Sequence, residues 1–212
     1  MKIESSVKHD QIVEAALKRF SHFGIAKTTL TEVADDMLIS KQVLSYYFPD
    51  KQSLIQAVTE KLTYEFLTHL ETEIVTSHTV EEALLKHTQV KAFFFKKYFL
   101  LITQADNMVF AVQGSFDSWR TFLKEKESEL LAKLFERGVE TGELKPLDTQ
   151  KTADLFLDTL YAFSRCVKEK GDLPDAEAFQ QVLHLQQEVI QIFYQGLKAG
   201  AWTKEHPVTP KS

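Results

Sequence analysis

A short polar stretch around residue 42 holds the residue types most suited to binding bases and phosphates. Lysine and glutamine hydrogen bond to base edges, valine contacts a thymine methyl group, and hydroxyl groups bind phosphate oxygens. If Leu44 and Phe48 point into a core, helical geometry leaves the remaining side chains on one exposed surface. These are Ser40, Lys41, Gln42, Val43, Ser45, Tyr46 and Tyr47. Packing of the two tyrosines within the helical hairpin is the alternative.

Two short helices must position this surface. Thr29 and Glu32 have the spacing of a capping box that starts the first helix, and Ser40 is an N-cap candidate for the second. Backbone amides at the start of the first helix and at Lys51 add donors for phosphates.

The spacing of the apolar residues is that of a helix-turn-helix. Ala34, Leu38 and Leu44 take positions 5, 9 and 15 of a 20-residue unit. This spacing alone is weak evidence, because short helical hairpins are common in all-α proteins. Together with the polar surface, it favours an interaction with DNA.

Helical periodicity extends over most of the chain. Gly24 is expected to close a helix that precedes it at the start of the chain. A helix of some 25 residues is expected after Asp50. Breaks are expected near residues 77–79, 106–107, 113–115, 142–148 and 171–175. The remaining helices are predicted over residues 80–104, 115–141, 149–170 and 176–198. The fold class is therefore all-α, with a three-helix domain over residues 1–50 and a helical domain over residues 51–212.

The composition is that of a globular protein with an uneven distribution of charge. The chain of 212 residues carries a net charge of −5, but residues 1–62 hold 8 basic and 8 acidic side chains. Because the amino-terminal part is neutral, the overall acidity does not exclude a nucleic-acid partner. The absence of a long apolar run and of a signal-peptide pattern predicts a cytoplasmic protein.

Signatures of catalysis or metal binding are absent from the sequence. It contains no glycine-rich phosphate loop, no Gly-x-Ser-x-Gly and no His-Glu-x-x-His. His69, His78 and His87 are nine residues apart, but a predicted break separates the first two from the third. The single cysteine, Cys166, has apolar neighbours and excludes an intrachain disulfide. We therefore expect no enzyme, no cofactor and no metal site.

Many positions between Ile12 and Leu54 agree, in one register, with a known family. They are Ile12 to Ala16, Phe20, Phe23, Gly24, Thr28 to Leu30, Val33, Ala34, Ile39 to Lys41, Leu44, Tyr46 to Pro49, Lys51 and Leu54. This stretch resembles the DNA-binding domain of TetR-family transcriptional regulators. Beyond residue 60 the resemblance is architectural. The residues expected to bind operator DNA are Thr28, Thr29, Ser40, Lys41, Gln42, Val43, Tyr46, Tyr47 and Lys51.

Two positions depart from the family pattern. Leu38 stands where the turn usually has glycine, and a positive φ there would cost about 1 kcal/mol. Ser45 replaces a frequent tyrosine, which removes one expected phosphate contact.

The resemblance implies a homodimer that is closed by the last two helices. Both helices have apolar residues on more than one side, which agrees with a partner surface, although burial within one subunit is the alternative. The expected interface residues are Leu160, Val167, Val182, Val189 and Phe193.

The resemblance also implies an effector pocket in the helices around residues 93–122, which are rich in aromatic residues. Their density favours an apolar or aromatic effector, although core packing is the alternative for each side chain. The expected pocket residues are Phe94, Tyr98, Phe99, Trp119, Phe122 and Phe163.

The function that the resemblance implies is that of a homodimeric, ligand-responsive transcriptional repressor on a pseudo-palindromic operator. The alternative is a helical small-molecule-binding protein with a vestigial helix-turn-helix.

Overall fold

The structure is a computed structural model that describes the backbone of residues 2–108, 115–168 and 176–200. Side chains are described for residues 6–102, 104, 121–162 and 179–200. Within these ranges the chain is α-helical, and its only extended pairing is one antiparallel bridge between Leu144 and Lys198. The described helices are α1 (Lys2–Phe23), α2 (Leu30–Asp36), α3 (Lys41–Tyr47), α4 (Lys51–Thr76), α5 (Val80–Lys97), α6 (Phe99–Met108), α7 (Ser115–Glu140), α8 (Thr149–Lys168) and α9 (Ala176–Leu197). The all-α expectation is confirmed.

Capping residues begin the helices close to where the sequence predicts them. The Thr29 side chain accepts from the Glu32 amide, and the Glu32 carboxylate accepts from the Thr29 amide at 2.7 Å. Asp50 accepts from the Ser53 amide at the start of α4, and Asp148 accepts from the Lys151 amide at the start of α8. These short-range bonds satisfy amides that have no partner within the helix.

Gly24 ends α1 with a φ of +83°. This is the left-handed conformation expected at a helix carboxyl end, and the Gly24 amide still donates to the Phe20 carbonyl at 2.9 Å.

The turn between α2 and α3 uses a non-glycine residue in the same conformation. Leu38 has a φ of +54°. The Leu38 amide donates to Asp35 and the Ile39 amide donates to Ala34, both at 3.0 Å. This pair of bonds defines a Schellman motif, which normally places glycine where Leu38 stands. The Leu38 side chain is 95% exposed, so no packing compensates for the strain.

The predicted helix over residues 80–104 is in fact two helices, α5 and α6, with Tyr98 between them. Hydrogen bonds from Tyr98 to Phe94 and from Ile102 to Tyr98, each 2.9 Å, continue across the junction. The predicted break at residues 106–107 is wrong, because α6 runs through to Met108. No glycine or proline marks the true junction, and periodicity alone therefore could not locate it. The predicted breaks at residues 113–115 and 171–175 fall largely outside the described residues.

The helices divide into two compact units. One consists of residues 1–68 and 91–121, and the other of residues 69–90 and 122–212. In the first unit, α1 packs against α2 and α6, and α2 packs against α3. In the second unit, α8 packs against α9. The predicted boundary at residue 50 groups the three helices that are expected to bind DNA. We retain this boundary as a proposal.

In the second unit the loop after α7 joins two other helices. The Glu143 carboxylate accepts from the Val80 amide at the start of α5, at 2.8 and 3.0 Å, and from the Tyr194 hydroxyl at 3.0 Å. Burial, reinforced by Glu143, raises the pKa of Tyr194 to about 12. The Lys145 ammonium donates to the Gly196 carbonyl at 2.6 Å, near the end of α9.

The strained turn gives a first prediction. Left-handed geometry costs a non-glycine residue about 1–2 kcal/mol, and glycine loses about 0.5–1 kcal/mol more backbone entropy on folding. Leu38→Gly is therefore expected to raise the free energy of unfolding by about 0.5–1 kcal/mol, measured by urea denaturation. The control Leu38→Ala keeps the Cβ atom and should stay within about 0.5 kcal/mol of wild type. Equal stability of the glycine and alanine variants would contradict the strain.

Candidate nucleic-acid interface

Helix α3 packs against the rest of its domain through one apolar side and exposes its other side to solvent. Leu44 is fully buried and Phe48 is 3% exposed, as the sequence predicts. Ser40 caps the helix, and its hydroxyl accepts from the Val43 amide at 3.2 Å. The orientation of α3 is thus fixed by its apolar anchors and by its cap.

The polar side of α3 is accessible. Lys41 and Gln42 are exposed, and Val43 and Tyr46 are 43% and 80% exposed. Tyr47 is half-buried and meets the Tyr46 ring edge to face, with a centroid distance of 5.1 Å. The structure thus brings the predicted side chains of α3 together on one short helix.

Two further predicted residues lie at helix starts. Thr29 is the exposed N-cap of α2. Lys51 is half-buried at the first residue of α4, where burial lowers the pKa of its ammonium group and the Glu32 charge opposes that shift.

Thr28 does not belong to this surface. Its side chain is 1% exposed, and its hydroxyl donates to the Gly24 carbonyl at 2.9 Å. The prediction that Thr28 contacts DNA is therefore wrong for the side chain, which instead closes the loop between α1 and α2.

An ion-pair network fixes α2 against α1. The Arg19 guanidinium donates to both carboxylate oxygens of Asp36, at 2.8 and 2.7 Å, and lies 3.1 Å from the Glu32 carboxylate. The Asp36 bond is the main cause that raises the pKa of Arg19. No sequence pattern marks Arg19, because it and its partners lie on separate helices that only the tertiary fold brings together.

Lys27 and Lys41 are exposed and have no ion-pair partner among the described side chains. Arg19 and Lys61, by contrast, are engaged with carboxylates of the same unit. The neutral amino-terminal part therefore still offers unpaired cations for phosphate groups.

The predicted effector residues in the first unit form an aromatic cluster. Phe94 and Tyr98 are 8% and 5% exposed. Phe94 meets Phe66 edge to face at 5.4 Å, and the Lys97 ammonium lies 4.8 Å from the centre of the Tyr98 ring. Phe99 is half-buried beside Phe95 at 5.3 Å.

The other predicted effector residues are placed differently. In the second unit, Phe122 is 45% exposed and lies beneath Lys126. The side chains of Trp119 and Phe163 lie outside the described residues. An open groove of about 500 Å³ runs along α1, but it is lined by α1 and α2 residues such as Lys18 and His22 and by none of the predicted ones.

A buried polar network in the second unit was not predicted. His87 and Glu127 are both fully buried, with 3.0 Å between Nε2 and Oε2, and the Tyr161 hydroxyl donates to the other Glu127 oxygen at 2.9 Å. His69 and His78 are exposed and take no part in it. No group of three metal-ligating side chains occurs among the described residues.

Among the predicted interface residues on α8 and α9, Leu160 is contradicted by its burial. Leu160 is 2% exposed and belongs to the core of its own unit. Phe193 packs against Phe156 and Phe135, at centroid distances of 5.2 and 6.4 Å. Val182 and Val189 are half-buried, and the Val167 side chain lies outside the described residues.

Other apolar side chains of α8 and α9 are exposed, although the sequence analysis did not assign them to the interface. Leu155, Leu185 and Ile192 are 58%, 45% and 74% exposed. Residues 185 and 192 are seven positions apart and thus lie on one side of α9.

None of the described helices has the length and apolar character needed to cross a membrane.

The fold and the exposed side of α3 are those of a helix-turn-helix protein. Comparison with known proteins gives the family. Residues 12–58 match the model of the bacterial regulatory proteins of the tetR family. Residues 12–58 accordingly form a DNA-binding domain of the TetR-family type.

Individual relatives agree with this assignment. The HTH-type transcriptional regulator RutR of Escherichia coli K12 is 42% identical over 57 residues, which is 27% of this chain and 27% of RutR. The similarity to RutR thus covers about a quarter of each chain.

Solved structures extend the likeness to the whole fold. A transcriptional regulator from Cytophaga hutchinsonii has a TM-score of 0.82 and 25% identity, covering 91% of this chain and 99% of that protein. A TetR-family transcriptional regulator from Pectobacterium atrosepticum has a TM-score of 0.73 and 18% identity, covering 100% of both chains.

The capping network predicts a specific pH dependence. The Thr29 amide, followed by the Thr29 hydroxyl and Arg19, lowers the pKa of Glu32 below its ordinary 4.5. A lowered pKa stabilises the fold above the ordinary value, and this contribution is lost as the pH falls through the folded pKa. We expect Glu32→Gln to be less stable than wild type at pH 7, with the difference shrinking below about pH 4.5.

Urea unfolding at a series of pH values measures this difference. Glu60→Gln, which removes a carboxylate bonded within its own helix to Gln56, controls for the loss of a surface charge. A difference for Glu32→Gln that is the same at pH 7 and pH 3 would contradict the role of the charge.

Proposed function

We propose that this protein is a transcriptional repressor that binds double-stranded operator DNA as a homodimer and releases it in response to an effector. The observation that carries the proposal is the exposed polar side of α3, presented by the buried anchors Leu44 and Phe48. A helix of this kind enters the major groove, where base edges are distinguishable. Because its partner is bacterial DNA, we propose the cytoplasm as its location.

In this proposal the predicted residues have separate roles. Lys41, Gln42 and Val43 face base edges, whereas Tyr46, Tyr47 and Lys51 bind phosphates. Thr29 and Ser40 are helix caps, and their side chains already accept backbone amides. Their expected contribution is to orient the helix starts toward the phosphate backbone.

We propose that the second copy of the chain covers the exposed apolar side chains of α8 and α9. Leu155, Leu185 and Ile192 leave apolar surface in water, which a partner subunit would bury. A two-fold dimer gives a pseudo-palindromic operator, with half-sites about one helical turn or a multiple of it apart.

For the effector we propose an apolar or aromatic molecule that contacts the aromatic cluster around Phe94 and Tyr98. The support is the density of aromatic side chains there and the low exposure of these two rings. A 100-fold loss of operator affinity requires about 2.7 kcal/mol of coupling, and bound operator must then weaken effector binding by the same factor.

DNA binding is tested with sequences selected by the wild-type protein from a random duplex library. Gln42→Ala is expected to relax the preference at one base position, worth about 1–3 kcal/mol, because it removes a base contact. Lys51→Ala should weaken all sequences alike and reduce the slope of log K against log salt by about 0.9. Fluorescence anisotropy over a series of salt concentrations measures both.

Lys133→Ala is the matched control, since it removes an exposed lysine of α7 with no ion-pair partner among the described side chains. It should change neither the sequence preference nor the salt slope. Failure of the wild-type protein to select any sequence would refute the proposed function and favour a helical protein with a vestigial helix-turn-helix.

Assembly is tested by Ile192→Glu. A dimer would bury the new carboxylate without a partner, which is costly, so we expect a folded monomer at micromolar concentration by light scattering. Val75→Glu places the same charge at a valine of α4 that is 65% exposed, and should leave the dimer intact. A monomeric wild-type protein, or a dimeric Ile192→Glu variant, would contradict this interface. Leu160→Glu is unsuitable, because it would disrupt the core.

A further inference from the structure

Gln104 of α6 holds the loop between α1 and α2. Its side-chain oxygen accepts a hydrogen bond from the Ala26 amide at 3.0 Å, across 78 residues of sequence. Both residues belong to the first compact unit, in which α6 packs against α1. Leu101 of the same helix is 3% exposed, which places an apolar residue one turn before the Gln104 amide.

The backbone at Gly24 is shaped to receive this amide. A Cβ atom at residue 24 would overlap with the side-chain nitrogen, oxygen and carbon of Gln104. A side chain at residue 24 would therefore displace the Gln104 amide, and the positive φ of residue 24 independently favours glycine.

The loop that Gln104 holds leads directly into the proposed DNA-binding surface. Ile25 and Thr28 are buried, and the Thr28 hydroxyl and amide are bonded within the loop. Thr29 follows at once as the N-cap of α2, and α2 packs against α3. A displacement of the loop would therefore move the start of α2.

The bond between Gln104 and Ala26 is exposed to solvent. If it broke, water would satisfy both groups, so its contribution to folding is small. This bond therefore adds little to the free energy of unfolding, but it specifies where the loop lies relative to α6.

We propose that Gln104 is a positioning residue that keeps the α1–α2 loop in the arrangement that binds DNA. If α6 shifted, this bond would carry the displacement to the loop and so to the start of α2. The inference rests on the proposed function.

The experiment measures the affinity of three variants for the sequence that the wild-type protein selects. Gln104→Ala removes the acceptor and is expected to weaken binding about fivefold, the equivalent of one hydrogen bond. Gln104→Glu retains an oxygen acceptor and should stay within about twofold of wild type. Gln89→Ala removes an exposed glutamine of α5 and should have no effect.

A second readout follows the loop itself. Amide hydrogen exchange at Ala26, at a temperature where all variants are folded, should be faster in Gln104→Ala and near wild type in Gln104→Glu. A general loss of stability would instead accelerate exchange throughout the core, including at Leu44 and Phe48. This comparison separates positioning from structural support.

The outcomes are distinguishable. Wild type that selects no DNA refutes the proposed function, and the inference with it. Wild type that binds while Gln104→Ala binds equally well overturns the inference alone. Equal losses in Gln104→Ala and Gln104→Glu also overturn it, because they would show that the acceptor oxygen is not what matters.

Discussion

Burial of apolar side chains between α1, α2 and α3 is the interaction on which the amino-terminal domain depends. The domain has two helices of only seven residues each, too short to be stable alone. Arg19 of α1 contacts Glu32 in the first turn of α2 and Asp36 in its last turn. Glu32 also completes the capping box of α2. The position of α3 follows, because α3 packs on α2. The buried apolar residues thus fix the frame in which the exposed side chains of α3 are presented, and the Arg19 ion pairs add a specific contact between α1 and α2.

The second unit is organised by polar groups within an apolar core. The His87–Glu127–Tyr161 network joins α5, α7 and α8, and Glu143 connects the start of α5 with α9. A buried polar network of this kind adds little net stability compared with apolar residues of the same volume, but losing one partner is costly. Such groups therefore favour one packing arrangement of the helices over its near alternatives, whatever their effect on total stability.

Local features of the fold were predictable from sequence, and contacts between distant helices were not. Helix starts at Thr29, Ser40 and Asp50 depend on neighbouring residues, and the structure confirms them. Leu160 was misassigned because a broad apolar face looks the same whether it is buried within one subunit or between two. Gln104 gave no signal at all, since one glutamine in a helix acquires meaning only when the fold brings Ala26 to it.

The close packing of Gln104 over Gly24 links two positions that are eighty residues apart. Residue 24 is restricted by its backbone handedness and also by the volume of the amide above it. Asparagine tolerates the first restriction, but its side chain would displace the Gln104 amide from its bond to Ala26. Among related sequences, a side chain at position 24 should therefore accompany a small residue at position 104. The two positions are expected to covary across evolution although neither touches DNA in the proposed complex.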